Sequence, residues 1–144
     1  MKRINRYLCL VMAIVMLLAI PVHAQEASTW ASAYISSYDS FLYKSAANEI
    51  QIWFEVTGAG RVDELGVSEI KVQRSSTGTG NWITVKTYYP EDYPEMISEN
   101  AFYHNTYVTY TGTAGYYYRA IVTFYSKKGN GSGEIIDYAE VLRL

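Results

Sequence analysis

The chain has 144 residues, a formal net charge of −2 and a single cysteine. An export leader over residues 1–24 accounts for Lys2, Arg3, Arg6 and Cys9, so residues 25–144 hold nine basic against fourteen acidic side chains and no cysteine. That balance excludes a disulfide framework and argues against nucleic acid or an anionic membrane surface as partner.

The leader is read from its parts. A basic start is followed by an apolar run from Tyr7 to Ile20, closed by Pro21, with Val22 and Ala24 as the small residues a signal peptidase requires. The run falls short of the roughly 20 apolar residues that span a bilayer, so cleavage after Ala24 and release from the cell are expected. A lipid anchor is disfavoured because Cys9 sits inside the apolar run. The remaining 120 residues fit one domain with one hydrophobic core. Twenty-one of them are aromatic, and rings pack well on pleated surfaces, so the composition leans all-β.

Seven runs of period-two alternation follow one another, bounded by glycine, proline and asparagine. The first spans Trp30 to Tyr38. The second, Glu49 to Thr57, sends Ile50, Ile52, Phe54 and Val56 to the core and Gln51, Trp53, Glu55 and Thr57 outward. Arg61 to Gly66 is short and glycine-bounded, and predicts no more than a helical turn. Glu69 to Arg74, with Ile70 and Val72 inward, pairs across the glycine-rich stretch Ser75–Asn81 with Trp82 to Tyr88, with Ile83 and Val85 on the inner side. Pro90 to Asn100, with two prolines and four acids, is a surface connection with one helical turn near Glu95 to Ser98. Phe102 to Tyr110, Tyr116 to Tyr125 and Glu134 to Leu142 complete the set. The expected fold is a single antiparallel Greek-key β-sandwich of about seven strands over residues 25–144.

Ile70, Lys71, Val72, Gln73 and Arg74, the glycine loop, Trp82 and the later run Gly115 to Val122 resemble the hairpin and penultimate strand of fibronectin type III and related immunoglobulin-like sandwiches. In that resemblance Tyr116 matches the tyrosine that closes a strand corner through its hydroxyl. Phe54 stands where such domains bury tryptophan, and the proline that usually follows is missing. The leader, size and lack of cysteine are also similar to small exported sandwich proteins of Gram-positive bacteria, known only as a domain of unknown function.

The chemistry-bearing residues are sparse. Nucleophilic catalysis needs a base beside the nucleophile, and His104, the one histidine after the leader, sits in a strand without a cysteine anywhere near it. Asp63 with Glu64, and Glu91 with Asp92, read as solvated loop acids, since a lone sandwich rarely builds the cleft that paired carboxylates need. Zinc lacks ligands. Glu91, Asp92 and Glu95 supply oxygens without a calcium-loop spacing. Gly129 to Gly133 precedes a strand, not a helix, so it reads as a tight turn and not a phosphate cradle, and the glycosylation pattern Asn130-Gly131-Ser132 is the same turn. No enzyme activity, cofactor or metal is expected.

What remains is aromatic. With Tyr118, Ala120 and Val122 inward, alternation puts Trp82, Tyr88, Tyr117, Arg119 and Tyr125 on the outer face of one sheet beside Lys71, Gln73, Thr84 and Lys86. Rings and donors so mixed suit the stacking of a sugar or contact with a cell-surface protein, and also plain cross-strand pairing. The expectation is a secreted non-enzymatic binding or adhesion module for glycan or cell-envelope surfaces, with a structural protein of a surface assembly as the alternative.

Overall fold

A computed structural model describes residues 33–144. The leader, its cleavage site, Cys9 and Trp30 lie outside the described residues. Seven strands and one short 3-10 turn make up the rest: β1 Ile35–Ala46, β2 Glu49–Ser75, β3 Ile83–Tyr88, the turn Pro94–Met96, β4 Ile97–Thr111, β5 Tyr117–Lys128, β6 Gly131–Tyr138 and β7 Leu142–Arg143. Every pairing is antiparallel. The all-β, seven-strand expectation holds.

The run Arg61–Gly66, expected as a helical turn, is instead strand. It is the middle of β2, whose 27 residues serve both layers of the molecule. Residues 49–58 pair with β1, and residues 64–75 pair with β5 on the same side. Between these pairings the register against β4 jumps from Thr57 to Val62, and Gly60 takes a φ of +111°, which side-chain-bearing residues rarely adopt. The extra residues and the glycine turn the chain without breaking its strand character. On the other side β4 follows the corner and β3 joins beyond it. One continuous sheet is thus folded over on itself.

The fold-over is visible in contacts between strands that share no ladder. The Tyr38 and Phe124 rings lie 5.2 Å apart, Tyr110 and Tyr118 lie 5.7 Å apart, and Ser40 Oγ donates to Asp137 Oδ2 at 2.6 Å. The core between the layers holds Ile50, Ile52, Phe54 and Val56 from the first half of β2, Leu65, Val67, Ile70 and Val72 from the second, and Tyr118, Ala120, Val122 and Phe124 from β5. Each of these large apolar side chains contributes about 1.5–3 kcal/mol by leaving water. Met96, wholly buried, closes one end.

Two boundaries move. The first strand begins at Ile35 and runs to Ala46, well past Tyr38, and the last run divides into β6 and β7. The corner tyrosine also moves. Tyr118, not Tyr116, is fully buried, and its hydroxyl accepts from the Thr113 N–H at 2.7 Å and donates to the Thr113 carbonyl at 3.3 Å. Tyr116 lies under the Arg74 guanidinium, 4.4 Å from its ring centroid. Tyr118→Phe leaves the Thr113 N–H without its acceptor and should cost about 1–2 kcal/mol in urea unfolding, whereas Tyr116→Phe should change stability little. Equal losses in the two variants would contradict this assignment.

Candidate functional site

The outer face of the β1–β2–β4 layer carries a row of rings. Trp53 sits on the central strand, directly opposite Phe41 of β1 on one side and Tyr107 of β4 on the other. The Phe41 and Trp53 rings are parallel to within 3° with centroids 6.2 Å apart, and Trp53 and Tyr107 are 4.6 Å apart at 34°. Parallel rings at 6.2 Å overlap little, so part of each face is left uncovered. Phe41, Tyr43, Tyr103 and Tyr107 are all at least 40 % exposed.

Polar groups flank the row. The Trp53 indole N–H donates to Gln51 Oε1 at 3.0 Å, which fixes the ring plane. Asn105 Nδ2 donates to the Tyr103 hydroxyl at 3.0 Å, and that hydroxyl donates to Glu55 Oε2 at 3.3 Å. Phe41, Tyr43, Gln51, Trp53, Glu55 and Asn105 together line a shallow depression of about 380 Å³. Strand spacing sets the row at about 10 Å from Phe41 to Tyr107.

The face expected to bind, on the other layer, is organised differently. Gln73 pairs with Arg119 and with Thr84, and Ser75 with Tyr117, so Trp82, Tyr117 and Arg119 do come together. Trp82 and Tyr117 are half-buried, as Trp53 is, but each has a cation over its ring. The Arg119 guanidinium lies 4.5 Å from the Trp82 centroid, Arg143 lies 5.3 Å from that of Tyr117, and Gly78 of the glycine loop rests against the Tyr117 ring.

Tyr88 is not on that face. Between the pairs Val72–Lys86 and Gln73–Thr84 the ladder slips by one residue, at Val85, and everything after the bulge changes side. Tyr88 therefore points into the core, 2 % exposed, with its hydroxyl donating to the Thr109 carbonyl at 2.8 Å. Burial pushes its pKa up to about 12. Ile83, expected inward, is instead 54 % exposed at the rim of this edge strand. Tyr125 shares the outer face with Tyr117, but eight residues further along β5, about 27 Å away, beside Glu64 and Lys127.

Of the remaining chemistry-bearing residues, Asp63, Glu64 and His104 have structural partners. Asp63 and Glu64, expected in a loop, lie in β2. Asp63 accepts from the Gly129 N–H at 2.6 Å, and Glu64 pairs with Lys127 at 2.7 Å. No group of three or more metal-ligating side chains forms among the described residues. His104 is half-buried against Phe54, with Nε2 2.9 Å from the Glu95 carbonyl oxygen.

Phe41, Tyr43, Tyr103, Asn105, Tyr107 and Arg143 escape the sequence reading, although Trp53 is placed outward by it. The signal was the odd-numbered alternation Tyr103, Asn105, Tyr107 facing Trp53. It is visible only once β1 is known to extend past Phe41.

The chain matches no family model, and no curated protein matches it. Among solved structures it is similar to the sporulation control protein Spo0M of Bacillus subtilis, with a TM-score of 0.42 and 11 % identity over 72 % of this chain and 49 % of that one. The chain spans about half the length of that structure, and a likeness this slight assigns neither family nor activity.

Burial lowers the His104 pKa, while its bond to the Glu95 carbonyl raises it by less. The neutral ring is therefore the one the folded chain prefers, and its contribution is complete above the unfolded value of 6.5 and lost as pH falls through and below it. The melting temperature should drop between pH 7.5 and pH 5 by more in the natural chain than in His104→Gln. Parallel pH profiles for the two would contradict this.

Proposed function

We propose that this protein is a secreted, non-enzymatic binding module that recognises extended saccharide chains at a cell envelope or on a host or matrix surface, through the Phe41–Trp53–Tyr107 face. The observation that carries the reading is the row itself. Three rings from three adjacent strands form one surface, with the central indole plane fixed by Gln51 and with Glu55 and Asn105 beside it. Apolar C–H faces of a sugar ring stack on such rings, and hydroxyls pair with the carboxylate and amide groups alongside.

The leader over residues 1–24 supports export, and the all-antiparallel strand pairing is in keeping with the fibronectin-type resemblance, although β2 runs through both layers. The same face also fits a protein of the cell surface, since exposed tyrosine and tryptophan serve protein interfaces equally. Nucleic acid and membrane fit an acidic chain poorly.

One observation favours the second reading, a subunit of a surface assembly. Among the described residues β1 pairs only with β2, so its 12 residues leave a long edge on which another strand can add. Light scattering separates the two readings, because a strict monomer at high concentration speaks against assembly.

For the saccharide reading, the purified protein is passed over immobilised neutral polysaccharides and isolated cell-wall glycan. Retention on at least one is expected, weakened at least tenfold in Kd by Trp53→Ala and much less by Trp82→Ala. No retention on any glycan, or retention indifferent to Trp53→Ala, would overturn it.

A further inference from the structure

The rings on the face of β2, β3, β5 and β7 are spent on holding arginines, and what that face offers solvent is guanidinium N–H. Arg119 lies on Trp82 while its Nε donates to Gln73 Oε1 at 2.8 Å, and Gln73 is itself held by its Nε2 donating to Thr84 Oγ1 at 3.2 Å. One edge of the guanidinium is thereby fixed, and the terminal nitrogens have no acceptor among the described residues. Arg143 pairs across the ladder with Tyr117, so it is a diagonal neighbour of Arg119 on the same face, about 7–8 Å away at the backbone. Neither arginine forms an ion pair with a carboxylate among the described residues, where the pairs are Lys71–Glu69 and Lys127–Glu64.

The charge distribution gives an independent indication. The chain is acidic overall, yet no aspartate or glutamate occurs between Glu69 and Glu91 or between Glu99 and Glu134. These two stretches supply β3, all of β5 and residues 70–75 of β2, as well as most of β4 in the other layer, so the end of this layer that holds Lys71, Arg74, Lys86 and Arg119 is basic on an acidic molecule. Glu69 lies four residues from Gln73 along β2, about 13 Å, and is engaged by Lys71. Glu140, exposed in the connection into β7, is the acid that approaches this end, and it pairs with neither arginine.

We propose that Arg119 and Arg143 form a docking site for the carboxylates of an acidic polysaccharide, on the layer opposite the ring row. A guanidinium pre-set by stacking and by Gln73 presents two parallel N–H donors in the plane a carboxylate needs, with little rotamer freedom left to lose on binding. Successive uronate units present such groups at intervals along one chain, which two neighbouring arginines can grip together. The site is independent of Phe41, Trp53 and Tyr107, so the domain has two chemically different sides.

The test titrates the purified protein with polygalacturonate, alginate and hyaluronan, and with fully methyl-esterified polygalacturonate and inorganic polyphosphate as comparisons. Binding to at least one uronate polymer is expected, lost on esterification, and weakened at least tenfold in Kd by Arg119→Gln with Arg143→Gln. Arg119→Lys, which keeps charge but loses the fork, should recover only part of the affinity, and Glu140→Gln should tighten binding. Trp53→Ala should leave it unchanged, so failure here and failure of the ring-row reading are distinguishable. Unchanged melting temperatures of the variants guard against misfolding. Binding to none of the three uronate polymers, indifference to the arginine substitutions in folded variants, or equal affinity for polyphosphate would overturn the proposal.

Discussion

Both layers of this molecule hang on one backbone segment, the uninterrupted β2, and on the corner at residues 58–62 where it changes partners from β1 to β5. Ordinarily two sheets of a sandwich are joined by loops whose lengths leave their relative placement loosely set. Here the connection is itself extended strand, with β4 paired to it on one side up to Thr57 and again from Val62. The apolar alternation on either side of the corner, Ile50 to Val56 and then Val62 to Val72, is brought face to face by that bend and closed by the inward row of β5. A chain without disulfides among its described residues depends on such a core for stability.

The same geometry decides what the two outer faces present. On β1, β2 and β4 the rings meet one another across the ladder and leave area uncovered, with amide and carboxylate groups at their margin. On β2, β3, β5 and β7 the rings are capped by Arg119, Arg143 and the glycine loop. Cross-strand pairs on both faces stabilise the sheet by about 0.2–1 kcal/mol each, so the proposed recognition would draw on side chains that also serve the structure. The difference lies in what is left over: ring surface on one side, guanidinium donors on the other.

Much of this was legible in the amino-acid order. The all-β class followed from period-two runs and turn residues, and the inward set on β2 and β5 was read correctly because a buried face tolerates no slip in register. The outward placement of Trp53, Trp82, Tyr117 and Arg119 followed from the same alternation. What failed did so for local reasons. Alternation alone places Tyr88 outward, because a one-residue bulge at Val85 leaves no mark in composition. Arg61–Gly66 does not read as strand because glycine ordinarily ends strands, whereas here Gly60 bends one. Tyr116 and Tyr118 share one face of the alternation and differ in burial and in which hydroxyl reaches Thr113, neither of which the spacing encodes. The ring row was missed because it joins three strands whose register is fixed by tertiary pairing, which no single segment encodes.

On the proposed function, a saccharide stacks on Trp53, between Phe41 and Tyr107, and not on Trp82 beneath Arg119. Indole N–H resonances in a ¹⁵N-labelled sample report each tryptophan separately during titration with a neutral oligosaccharide that the protein retains. The Trp53 signal should move with saturable dependence on ligand while that of Trp82 stays in place. Movement of Trp82 with Trp53 stationary would contradict the account.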